Sequence, residues 1–96
     1  MSYYTRKQLV EMLETDDAFL CALEREEIIS ADAPSESSGE YSERMLERAR
    51  VAQNLVHELE VNMAGAAVIV RMREEMAELR LRLEQLVAEV RRRGGD

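Results

Sequence analysis

The sequence predicts a mainly α fold: a winged helix-turn-helix lobe with a small β-hairpin wing, followed by a long C-terminal coiled-coil helix. Three observations predict it. Apolar residues at Ile69, Met72, Met76, Leu79, Leu83, Leu86 and Val90 recur in alternating steps of 3 and 4, a heptad seam that stays on one side of a helix. Aromatic residues are few, only Tyr3, Tyr4, Phe19 and Tyr41, so the core must come from Leu, Ile, Val, Met and Ala, which suits helices. Helix-start signals recur along the chain, at Thr5, at Thr15 or Asp16, at Ser42 and at Asn62.

Taken in order, Thr5 with Gln8 three residues on reads as a capping box that opens a helix over about 5–14. Leu9, Val10, Met12 and Leu13 form its apolar face. A second helix over about 16–27 turns Phe19, Leu20 and Leu23 inward, with Cys21 as a further small buried residue. Two short helices joined by a tight turn suggest a helix-turn-helix. Ile28 and Ile29 read as a brief strand, Ala31 to Gly39 has loop composition, and Tyr41 reads as the return strand, giving a wing over about 28–41. The third helix spans about 42–60, lined by Met45, Leu46, Ala49, Val51, Ala52, Leu55, Val56 and Leu59. Asn62 then caps the final helix, over 62–93, with a tail at 94–96. Gly65 in its first turn costs ~1 kcal/mol relative to Ala, which a close approach between helices would explain. The lobe is thus 1–61 and the dimerisation helix 62–93.

The long seam is narrow, and the upstream chain is too short to cover it. A second copy is therefore expected on Ile69, Met72, Met76, Leu79, Leu83, Leu86 and Val90, giving a homodimer. Opposite charges at i, i+4 flank the seam, at Arg71/Glu75, Glu78/Arg82, Arg80/Glu84 and Glu89/Arg93; each exposed pair adds only ~0.2–0.5 kcal/mol.

Charge separates the two parts of the chain. Residues 1–41 hold three bases (Arg6, Lys7, Arg25) against ten acids, and so carry the whole net charge of −7. DNA binding draws on clustered cations that displace counterions from phosphates; this half presents the opposite field and would steer a basic partner. Cys21 is the only cysteine and His57 the only histidine, so neither a disulfide nor a Cys/His metal set is expected. His57 reads as a solvated or capping side chain. Ser35, Ser37 and Ser38 have no base beside them, and no glycine-rich phosphate loop is present. The reading is of a non-enzyme without metal or cofactor. No stretch reads as a signal peptide or a membrane span, so the cytoplasm is the expected compartment and no membrane partner is expected.

Two segments carry a family resemblance. Glu40-Tyr41-Ser42-Glu43-Arg44-Met45-Leu46-Glu47-Arg48 is similar to the post-wing "YSExxLER" helix start of the MerR superfamily. Glu60-Val61-Asn62-Met63-Ala64-Gly65 resembles the "GVNLAG" turn of the heat-shock regulator HspR and of the chaperone-modulator (CbpM-like) branch. Leu23-Glu24-Arg25-Glu26-Glu27-Ile28-Ile29-Ser30 resembles the family's "YEREGLIS", with Glu27 where Gly is usual. The resemblance covers nearly the whole chain and implies a MerR-like winged helix-turn-helix.

The departures point to a branch. DNA-binding members carry an arginine and an aromatic residue in the second helix and bases in the wing. Here the second helix reads Phe19-Leu20-Cys21-Ala22-Leu23, and the segment from Ala31 to Gly39 holds Asp32 and Glu36 and no base. The cysteines of metal-sensing members are missing from the long helix. The resemblance therefore implies a modulator that binds the J-domain of a DnaJ-type co-chaperone and inhibits it by competing with DnaK. Asp16, Asp17, Glu24, Glu26 and Glu27 are the expected partner-binding residues. The alternatives are a MerR/HspR-type transcriptional regulator binding DNA through Arg6, Lys7 and Arg25, and a dimeric adaptor for an unrelated protein.

Overall fold

The computed structural model describes residues 2–34 and 39–94. The expected wing residues Ser35, Glu36, Ser37 and Ser38 lie outside them, as do the last two residues of the tail. The order of elements is β1 (Tyr3–Tyr4), α1 (Arg6–Met12), α2 (Asp17–Arg25), β2 (Tyr41–Ser42), α3 (Glu43–Glu58) and α4 (Met63–Gly94).

Local chemistry sets the helix starts. The Gln8 amide donates to Thr5 Oγ1 at 3.1 Å, and Gln8 Oε1 accepts from the Thr5 amide at 2.8 Å, the reciprocal capping box the sequence predicts. Of the two candidates before α2, Asp16 is the cap, accepting from the Phe19 amide at 2.9 Å. Ser42 caps α3, and Asn62 Oδ1 accepts from the Gly65 amide at 2.7 Å.

Helix ends share a less expected feature. Glu14, Glu27 and Glu60 have φ of 51°, 59° and 55°, left-handed values that L side chains adopt at a cost. Each follows the cap of α1, α2 or α3. After α1 and α2 the amides of Thr15 and Ile28 reach back to the carbonyls of Val10 and Leu23 at 3.0 and 2.9 Å. Those are the long bonds of the Schellman ending. Glu27 therefore occupies the backbone conformation that explains glycine at this place in the resembling motif.

The two-stranded ribbon pairs different segments from those expected. β1 runs antiparallel to β2, with Tyr3 opposite Ser42 and Tyr4 opposite Tyr41. Ile28 and Ile29 are not a strand; they are 0% and 1% exposed and belong to the core. Two adjacent apolar residues leaving a helix serve the core better than a ribbon edge, which would expose one of them. The wing segment is closed instead by the amides of Asp32 and Ala33, which both donate to the Glu40 carbonyl. The Asp32 carboxylate accepts from the Ser42 amide at 2.7 Å and from its hydroxyl at 2.5 Å. Gly39 runs against β1: a Cβ there would lie 2.6 Å from the Tyr4 nitrogen and 2.7 Å from the Tyr3 carbonyl carbon.

One core joins α1, α2, α3 and the start of α4, built from Leu9, Leu13, Leu20, Leu23, Ile28, Ile29, Tyr41, Met45, Leu46, Ala49, Ala52, Ala66, Ala67 and Val70. The small pairs Ala49/Ala52 and Ala66/Ala67 suit close packing of α3 on α4. Gly65 is not part of that approach. A Cβ on it would meet Val61 Cγ1 at 3.0 Å and Asn62 Oδ1 at 3.2 Å, so the turn before α4 is what needs the glycine. Leu59, expected to line α3, follows the helix as its cap and is 67% exposed. Gln53 Nε2 ties α3 to the Leu13 carbonyl at 2.7 Å. Arg44 and Arg48 of α3 share Glu74 of α4, at 3.1 and 3.4 Å. Beyond that point α4 leaves the lobe. Its 32 residues span about 48 Å at 1.5 Å per residue, and the long axis of the protein is 58 Å.

Candidate functional site

Two surfaces qualify: the outer face of the helix-turn-helix and the seam of α4. On the first, Arg6 opens α1 and reaches across to α2 and β2. Its Nη1 lies 2.6 Å from Glu24 Oε1 and donates to the Tyr41 hydroxyl at 3.1 Å. Its Nε bonds to Asp17 Oδ1, and Nη2 lies 3.2 Å from Cys21 Sγ. The Tyr41 hydroxyl completes the ring by donating to Glu24 Oε2 at 2.8 Å. The guanidinium thus directs three nitrogens at partners within its own chain, and its rigid fork suits two carboxylates at once.

Ionisation follows from this geometry. The hydrogen bond from Arg6 holds the Asp17 carboxyl below its ordinary range. Arg6 is pushed well above an already high value by its bonds to Asp17 and then Glu24. Burial raises the Tyr41 phenol, and its bond to the Glu24 carboxylate raises it further. At neutral pH Arg6 is therefore a cation, Asp17 an anion and Tyr41 a neutral phenol.

The five expected partner-binding acids therefore divide. Asp16 caps α2, and Asp17 and Glu24 are held by Arg6. Glu26 is half-buried at the end of α2, and Glu27 is exposed beyond it; among the described residues neither is ion-paired. Glu11 and Glu14 are also exposed. Of the three bases in this half, Arg6 is committed internally, while Lys7 and Arg25 are exposed. Cys21 is exposed rather than buried, because Leu20 and Leu23 take the inner face of α2 and the residue after Leu20 falls about 100° away round the helix. His57 is exposed as expected, but its ring lies 5.3 Å from that of Phe19. The sequence reading missed Arg6 and Tyr41 as the hub of this face. Arg6 and Glu24 are 18 residues apart and Arg6 and Tyr41 are 35 apart, so no local spacing marks them.

The second surface is the seam. Ile69 is 37% exposed, and Met72, Met76, Leu79, Leu83, Leu86 and Val90 are each more than half exposed. Of the four expected i, i+4 pairs, Glu78/Arg82 forms at 2.7 Å and Glu89/Arg93 at 3.1 Å; Arg71/Glu75 and Arg80/Glu84 form no ion pair. Among the described residues, no helix is long and apolar enough to cross a membrane. Among the described residues, no group of His, Cys, Asp and Glu could hold a metal ion.

A helix-turn-helix closed by a short ribbon and followed by a long helix with a bare apolar seam defines a MerR-like winged-helix scaffold. The family described as MerR HTH family regulatory protein matches residues 4–88, and the chain belongs to that family. No curated protein and no solved structure matches it.

Proposed function

We propose that this chain is a homodimeric, non-catalytic modulator of a DnaJ-type co-chaperone, in the chaperone-modulator branch of its family. Its acidic lobe docks on the basic helix of the J-domain and competes with DnaK. The observation that carries the reading is the capture of Arg6 by Asp17 and Glu24. It takes one of three cations away from the face that a DNA-binding relative would lay on phosphate, and leaves that face with an excess of carboxylates. Asp16, Asp17, Glu24, Glu26 and Glu27 form the docking set. Glu26 and Glu27 lead it, since the other three already have internal partners.

Calorimetry with a J-domain from the same organism, paired with J-stimulated ATP turnover by DnaK, tests the proposal. The wild-type chain should bind and suppress the stimulation. Glu26→Lys with Glu27→Lys should weaken both effects, and binding should fall with salt, because exposed charges are screened beyond about 8–10 Å. Absence of heat and of suppression against every J-domain of the host would refute it.

A second reading has one observation in its favour: the family is one of helix-turn-helix regulators. In that reading Lys7 and Arg25 contact phosphates and a dimer reads paired half-sites. A sequence-specific mobility shift at physiological salt that survives competitor DNA would favour it over the modulator.

A further inference from the structure

Between α3 and α4 lies an open cleft of about 550 Å³, and its walls carry an excess of cations. Arg44 stands on the α3 side, and Arg73 and Arg80 stand two turns apart on α4. Met76 and Ala77 lie between them and supply an apolar floor. The acids that line the cleft are Glu47 and Glu74. Glu74 is already shared by Arg44 and Arg48, so Glu47 alone is left over.

Arg80 does not take the partner its own helix offers, and Arg73 is offered none, its neighbours one turn away being Ile69, Val70, Met76 and Ala77. Glu84 stands one turn after Arg80, the spacing at which Glu78 and Arg82 pair at 2.7 Å, yet Arg80 lines the cleft and makes no ion pair among the described residues. Nor does Arg73 make an ion pair among them. Two guanidiniums without an ion pair beside a third, facing one carboxylate outside the Glu74 pairs, give the cleft a local excess of positive charge. Guanidinium forks match carboxylates in geometry. The volume lies in the range of small-molecule sites, which combine an apolar lining with a few convergent polar groups.

We infer that this cleft binds a small organic dianion, an apolar body bearing two carboxylates, through Arg44, Arg73 and Arg80, with the body resting on Met76 and Ala77. A ligand held this way would bridge the lobe and the long helix at the edge of the seam, since Met76 belongs to both surfaces.

Amide chemical shifts of the full-length chain would be followed during titration with phthalate, with inorganic phosphate, and with sodium chloride at matched ionic strength. Phthalate should give saturable shifts at residues 44–47 and 73–80. Arg73→Gln with Arg80→Gln, both exposed positions that leave the core intact, should weaken the apparent affinity at least tenfold. Arg82→Gln, outside the cleft, should leave it unchanged. Equal shifts with chloride would reduce the cleft to ordinary screening and overturn the inference. So would saturation by phosphate without phthalate, an equal loss in Arg82→Gln, or no saturation by any of the three.

Discussion

Arg6 Nη1 lies 2.6 Å from Glu24 Oε1, and this contact joins the first turn of α1 to the last turn of α2. Both side chains are about a third exposed or less, so the pair is less screened than a surface ion pair. Removing the cation leaves Glu24 and the Tyr41 hydroxyl to satisfy one another. Arg6→Gln is expected to lower stability by about 1–2 kcal/mol, the scale of hydrogen bonds to charged groups. Urea unfolding checks this. A midpoint equal to wild type would show that the network is ornamental.

The same cation gives the lobe a pH dependence. Asp17 is held below its ordinary carboxyl range when folded, chiefly by its bond to Arg6. Its contribution is therefore present at pH above the unfolded carboxyl range. It is lost as pH falls through the lower, folded value. Wild type should be more stable than Asp17→Asn at pH 7, and the two should converge as the solution is made more acid than the usual carboxylate range. Thermal melts across that window, at fixed salt, would show parallel curves if the assignment is wrong.

Glu27 has φ of 59°, a conformation glycine adopts without steric cost. Glu27→Gly is expected to stabilise the fold by about 0.5–1 kcal/mol: the relief of the left-handed side chain less the extra freedom glycine gives the unfolded chain. Because Glu27 also leads the proposed docking set, the variant should gain stability while losing affinity for a J-domain. Unfolding midpoints and calorimetry on the same sample separate the two effects.

Leu79 and Leu83 are 66% and 60% exposed on α4, beyond its last core residue, Val70. Replacing both with Asp should abolish the proposed homodimer without unfolding the lobe, because no core contact is lost while a buried unpaired charge at the proposed interface is costly. Sedimentation velocity with circular dichroism gives the readout. A double variant that still sediments with wild type would place the dimer contact elsewhere, and a monomeric wild type at tens of micromolar, a rough working range, would remove it.

The parts of the fold that were legible in the sequence are those decided by neighbours along the chain. Thr5 with Gln8, Ser42 before Met45 and Asn62 before Gly65 each complete a cap within three residues, so the helix starts stand where the spacing puts them. The seam of α4 is legible for the same reason, as alternating steps of 3 and 4 sustained over three heptads. The ribbon was not legible: strands of two residues have no period to read, and Tyr3 finds Ser42 across most of the lobe. Ile28 and Ile29 have strand propensity, but the core claims them first. Cys21 misled because its apolar neighbours suggested burial, when position round the helix decides it. On the candidate site, charge composition drew attention to the acids around α2. The capture of Arg6 could not be read, because Asp17, Glu24 and Tyr41 come together only through tertiary packing.

The pairing of Tyr3–Tyr4 with Tyr41–Ser42 has a consequence for how the chain folds. α1 and α2 close through contacts a few residues to a few tens of residues long, whereas the ribbon must bring the first residues back to a segment about forty positions away. Contacts of such separation form late, because the entropy of closing the loop comes before the contact repays it. During synthesis the first strand stays unpaired until its partner has emerged, so the tight passage of Gly39 against Tyr3 and Tyr4 forms after the local contacts of α1 and α2. Slow steps in refolding should accordingly report on Tyr41, the residue that belongs both to that ribbon and to the Arg6 network.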